Sequence, residues 1–122
     1  MKDSIVAVKS VSFAIRIINA YKYLCSEHKE YIMSKQLLRS GTAIGALVRE
    51  AEHAESKADF LHKISIGLKE ANETDYWLLI LKETDYLNEN EYQSLKKDME
   101  EIIRMLVSTV KTTKRNLGKK TF

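Results

Sequence analysis

Two carboxylate–histidine pairs spaced three apart, Glu50 with His53 and Asp59 with His62, are the residues here whose types could ligate a di-iron or di-manganese centre. In a helical bundle such a centre needs Glu-x-x-His from each of two helices and one more carboxylate from each of the other two, all at one depth. The stretches that would reach that depth offer Asp3 at one end of the chain, and only Lys111, Lys114 and Arg115 at the other. Half the ligand set is missing, so no metal site is expected. His28 is too far along the chain to complete it. A single cysteine, Cys25, and three scattered histidines place no nucleophile beside a base. Neither catalytic residues nor a cofactor site can be assembled, and the expected protein is not an enzyme and takes no small-molecule substrate.

The charged residues suggest other work. Arg39, Glu50, Glu70 and Glu73 fall on what read as the second and third helices. If these run antiparallel, positions equally far from the turn near Ser56 oppose each other, which sets Arg39 against Glu73. A guanidinium–carboxylate contact at that level would fix helix register, because a slip of one turn leaves a charge unpaired. Glu70 and Glu50 join the same structural ion-pair set. A second concentration of charge closes the chain: residues 111–122 carry Lys111, Lys114, Arg115, Lys119 and Lys120 and no acid. Of the 20 Lys and Arg, 15 then remain to face 17 Asp and Glu, so the first 110 residues are slightly acidic and the tail alone makes the protein basic. Together with Lys57 and Lys63 the tail forms a basic pole that could contact RNA or DNA. Repeated around a cyclic oligomer, it would be multiplied into a surface able to bind a phosphate backbone in a salt-dependent way.

Elements that hold these residues follow from periodicity. Apolar residues recur at three-and-four spacing with no period-two strand, and the chain has no proline and only four glycines in 122 residues. Four helices are predicted at about 4–26, 31–54, 57–85 and 89–115. Ser56 with Asp59, and Asn88 with Glu91, mark helix starts. Helices this long on connections this short must pack as antiparallel neighbours, giving an all-α, up-down-up-down antiparallel four-helix bundle over residues 1–110 with a basic tail, 111–122, continuing from its last helix. Phe13, Ile17 and Leu24 make one apolar stripe on the first helix, while Val11, Ile15, Ile18 and Tyr21 make another beside it; the third helix is similarly wide. Since one core needs a single stripe, the surplus predicts a subunit interface. Gly41 and Gly45 each cost about 1 kcal/mol in a helix interior, and predict close approach of another helix, at Gly67 or in a neighbouring subunit. The longest uncharged run, Ser40 to Val48, falls far short of the roughly 20 residues that span a bilayer. With no signal-peptide pattern and a lone thiol, a cytoplasmic location is expected and no membrane partner.

One linear pattern is more specific than these. Gln36-Leu37-Leu38-Arg39-Ser40, Ala43-Ile44, Glu50, Ser56-x-x-x-Phe60 and the stretch Glu70 to Thr74 together resemble the bacterial four-helix-bundle family encoded in intervening sequences of 23S ribosomal RNA genes. The likeness spans roughly residues 10–112. Ala43 stands where that family has serine, Leu47 where it has asparagine, and Ala51 where it has glycine. The resemblance implies a helical bundle, assembly as a homopentamer and a function largely unassigned. A related group, the accessory variability determinant proteins of diversity-generating retroelements, forms similar pentamers that assist a reverse transcriptase with its template RNA. By that analogy the expected protein is an adaptor or assembly module, with RNA or DNA as its partner, or else a purely structural or protein-binding oligomer.

Overall fold

A computed structural model of the chain describes residues 4–118. Four helices follow one another, α1 (Ile5–His28), α2 (Met33–Glu52), α3 (Lys57–Glu83) and α4 (Glu89–Gly118), and no strand occurs among the described residues. They pack α1 on α2, α2 on α3, α3 on α4 and, most loosely, α4 on α1. Cross-helix ion pairs run in opposite sequence order on neighbouring helices, as antiparallel packing requires: Glu50 with Lys63 between α2 and α3, Asp75 with Lys96 between α3 and α4, Lys9 with Glu101 between α1 and α4. The architecture is therefore an all-α, up-down-up-down four-helix bundle. Against the sequence expectation α1 and α4 run two and three residues further, while α2 is trimmed by two at each end and α3 stops two early.

Local chemistry accounts for each boundary. The Asn88 side chain accepts from Glu91 N while the Glu91 carboxylate accepts from Asn88 N, both at 2.8 Å, a complete capping box. At α3 the Ser56 hydroxyl accepts from Asp59 N at 3.0 Å, but the Asp59 carboxylate accepts from Glu55 N, one residue before the cap. The α1–α2 turn works differently. Lys29 takes a left-handed conformation (φ 52°) and Glu30 N donates back to Leu24 O, closing α1 without a glycine. Glu30 then turns its buried carboxylate onto the start of α2, accepting from Ile32 N, Met33 N and Ser34 N at 3.1, 3.0 and 2.7 Å. One acid thus satisfies three of the amides that a helix start leaves without partners, in the place where the helix dipole also favours negative charge.

The core lies on the axis. Phe13, Ile17 and Leu24 from α1 meet Leu37, Ile44 and Val48 from α2, Ile64, Leu78 and Leu81 from α3, and Met99, Ile102 and Leu106 from α4. The glycines of α2 do not meet Gly67. Gly41 faces α1, where a Cβ would come within 2.8 Å of Ile17 Cγ2; Gly45 faces Ser10 of α1 at an ordinary 3.4 Å, and Gly67 has only Leu47 near it, at 3.7 Å. The close approach is therefore between α2 and α1, at Gly41.

Two predictions follow from this packing. Gly41→Ala gains helix propensity worth about 1 kcal/mol but drives a methyl into the stiff, β-branched Ile17, costing about 1–3 kcal/mol. A net loss is expected, whereas Gly45→Ala should be neutral or stabilising by up to about 1 kcal/mol; urea denaturation ranks the two, and equal effects would refute the close approach. For Glu30, burial pushes the carboxyl up, but the bonds from Met33, Ser34 and Ile32 amides outweigh it and hold its pKa below the usual value. A depressed folded pKa stabilises above the unfolded value and is lost as pH falls through the folded one. Glu30→Gln, which turns one acceptor into a donor facing amides, should cost about 1–3 kcal/mol at pH 7. The gap to wild type should shrink as the pH drops below about 4, readable from denaturation midpoints across pH.

Candidate functional site

Arg39 stands on the second turn of α2, nearly four turns from the bend to α3, and its guanidinium spans two carboxylates on α3. One nitrogen lies 2.9 Å from Glu70 Oε2 and the other donates to Glu73 Oε2, while Nε reaches Gln36 Oε1 at 3.4 Å. Glu73 also accepts from Trp77 Nε1 at 3.1 Å. The indole bond and then the Arg39 bond hold the Glu73 carboxyl below its usual pKa, and Glu73 in turn raises that of Arg39. Beneath this layer the hydroxyls of Ser40 and Thr74, both fully buried, lie 2.9 Å apart. The α2–α3 seam therefore carries a polar ladder, buried at its base and wet at its top, at one level of the bundle. It can set register. Arg39 engages Oε2 of both Glu70 and Glu73, Trp77 shares that Glu73 oxygen, and the Ser40 and Thr74 hydroxyls also donate to carbonyls of their own helices.

Glu50 is not part of this ladder. It lies eleven residues further along α2, about 16 Å by helix rise, and pairs with Lys63 at 3.3 Å. His53 and His62 are exposed at the same end of the bundle. No group of three or more His, Cys, Asp or Glu side chains gathers as a metal site among the described residues; Asp3 lies outside them. At the other end His28 sits edge-on between Tyr23 and Tyr86, its Nε2 3.1 Å from the Tyr23 hydroxyl, and Cys25 approaches Ser34 Oγ at 3.8 Å.

The basic pole is only partly assembled. Lys57 is exposed at the first turn of α3, but Lys63 is taken up by Glu50. Lys111, Lys114 and Arg115 stand exposed on the last turns of α4, which continue as helix to Gly118. Lys119 and Lys120 lie outside the described residues.

Of the surplus apolar surface, part is absorbed and part is not. Ile18, Tyr21, Leu61, Leu68, Trp77 and Ile80 are half-buried within the bundle. Ile5, Val8, Val11 and Ile15 are 70, 53, 46 and 55% exposed and follow one another along the outward side of α1, opposite its core residues. Two cations that could interrupt the line, Lys9 and Arg16, are drawn sideways onto α4: Lys9 pairs with Glu101, and Arg16 reaches Asp98 and both oxygens of Ser94. Beside the line, between α1 and α4, runs a groove of about 540 Å³ floored by Phe13 and Ile102 and edged by Ile5 and Val8. Composition could not reveal this; only the sideways tether of the two cations leaves the stripe free of charge. No helix among the described residues is long and apolar enough to cross a membrane.

Comparison with known proteins places the chain. A family model described as 23S rRNA-intervening sequence protein matches residues 2–108. Among solved structures, a protein with unknown function from the S23 ribosomal protein family of Bacteroides thetaiotaomicron VPI-5482 shares 54% identity over 88% of this chain and 99% of that one, with a TM-score of 0.87. No curated protein matches.

The ladder makes a prediction about stability. Because the Arg39 side chain is half exposed, its pairing with Glu73 is screened and worth little. A double-mutant cycle with Arg39→Ala and Glu73→Ala should return a coupling of about 0.5–1 kcal/mol in chemical denaturation. A coupling of zero would remove the ladder as a register device.

Proposed function

The chain belongs to the 23S rRNA-intervening sequence protein family, and from its surface we propose that it is a non-enzymatic, cytoplasmic homo-oligomer that serves as an assembly or adaptor module. One observation carries this: the uncharged line of Ile5, Val8, Val11 and Ile15 on the outward side of α1, with a groove beside it that is floored by Phe13 and Ile102 and crossed by the Lys9–Glu101 pair. Four large apolar side chains in a row, with the neighbouring cations tied away, are the surface of a helix that another copy covers. Their spacing, with β-branched Val8 and Ile15 seven apart, suits helix-on-helix packing. The subunit number we propose is five, as the family resemblance implies. The partner class we propose for the assembled form is nucleic acid, met by the basic residues at the end of α4, which an oligomer repeats at fixed spacing.

Sedimentation velocity at micromolar concentration tests the assembly. The expected mass is five times the 14.1 kDa chain, about 70 kDa, and a clean monomer would overturn the proposal. Val8→Glu with Ile15→Glu should shift the protein to monomer while its helical circular dichroism is retained, since neither side chain belongs to the core.

A further inference from the structure

The cations of α4 extend well beyond the chain end. This helix holds five acids, and all five are engaged: Glu89 with Lys82, Glu91 with Asn88 N, Asp98 with Arg16, Glu100 with Lys96 and Glu101 with Lys9. Of its six bases only Lys96 is drawn in, between Asp75 and Glu100. Lys97, Arg104, Lys111, Lys114 and Arg115 have no ion-pair partner among the described residues and are exposed. Beyond Glu101 the helix has no acid at all.

Helix geometry lines them up. At 100° per residue, Lys97, Arg104, Lys111 and Arg115 fall within about 40° of one another around the axis, opposite the core line of Tyr92, Leu95, Met99, Ile102 and Leu106. Lys114 flanks them. From Lys97 to Arg115 the row is about 27 Å long, the rise of about 8 base pairs. Ser108 and Gln93, both polar, occupy the same side, and Glu101 and Glu100 border it within about 60° of Lys97, paired with Lys9 and Lys96. Aromatic residues are absent from it, the one on α4, Tyr92, being buried.

We propose that the outward face of α4, from Lys97 to Arg115, is a binding rail for the phosphate backbone of a nucleic-acid duplex. This rests on the nucleic-acid reading given above and changes its location: the contact runs the length of α4 instead of sitting at one end. A duplex is specified because phosphates are all this face can engage. Single strands are held by bases stacked on aromatic rings, and the rail has none. An anionic membrane surface calls for apolar residues among the cations, and the rail has none of those either. Binding is sequence-tolerant, because a convex line of isolated cations positions on phosphates without reading base edges. The rail and the apolar line lie on different helices.

Fluorescence anisotropy with the full-length protein tests this, using a labelled duplex of about 20 base pairs, the corresponding single strand, and vesicles containing phosphatidylserine, each at two salt concentrations. Duplex binding should be the tightest of the three and fall steeply with salt. Lys97→Glu with Arg104→Glu, both exposed and away from the core, should weaken duplex binding at least tenfold and reduce the salt slope by about two per rail engaged. Lys97→Gln with Arg104→Gln should give a smaller loss in the same direction, and circular dichroism with sedimentation confirms that fold and assembly are kept. If Lys114→Glu with Arg115→Glu abolishes binding and the Lys97/Arg104 variant binds as wild type, the rail is overturned and contact at the chain end stands. If the wild type binds none of the probes, both fall. Tighter binding to single strand or to vesicles than to duplex overturns the rail.

Discussion

Between successive helices the chain has only four or five residues, too few to cross the bundle, so each helix must lie antiparallel beside the one before it. Everything else is arranged within that constraint. It puts α2 and α3 each between two neighbours, and it leaves the first and last helices to close the ring without a covalent link. The α1–α4 seam is accordingly the loosest; Lys9 with Glu101 and Arg16 with Asp98 and Ser94 bridge it at the surface, over the buried core side chains of the two helices. Short turns also demand tight closure. At the α1–α2 turn, where no glycine or proline is present, a left-handed Lys29 and the buried carboxylate of Glu30 supply it.

Much of this is legible in the sequence, for reasons that are local. Helix number and type follow from apolar periodicity, and the starts at Ser56 and Asn88 follow from side chains that cap within three residues. Glu30 was not legible, because a glutamate is a poor capping residue on average and succeeds here only through burial against the amides of Ile32, Met33 and Ser34. The partner of Gly41 was not legible either: spacing shows that a helix approaches, but not which of its two neighbours does, and the structure places Ile17 of α1 there. Opposition of Arg39 and Glu73 could be worked out from equal distances to the turn. The same count sets Glu50 against residues 62–63, where Lys63 does meet it, so placing Glu50 in the Arg39 set overlooked its depth along the seam.

Lys97 and Arg104 show the limit of reading charge along a chain. The run Lys96-Lys97-Asp98-Met99-Glu100-Glu101 looks balanced, and averaging it hides both signs. In the helix Asp98, Glu100 and Glu101 pair with Arg16, Lys96 and Lys9, while Lys97 has no ion-pair partner among the described residues. Charge that cancels in sequence is thus unevenly paired in space.

The seams and the surface are therefore one electrostatic problem. Lys9 and Arg16 need carboxylates to close the gap between α1 and α4, and α4 supplies them from the sides of its core stripe. Those bonds draw Lys9 and Arg16 to the side of the apolar line on α1 and draw Asp98 and Glu101 toward α1, while Lys97, Arg104 and the bases beyond them on α4 carry no such bond. A net charge of +3 describes neither face. What matters is that the same ion pairs that shut the bundle create two unlike surfaces, one fitted to a second copy of the chain and one to a polyanion. Weakening the seam would expose acid on α4 and base on α1 together, blunting both surfaces at once.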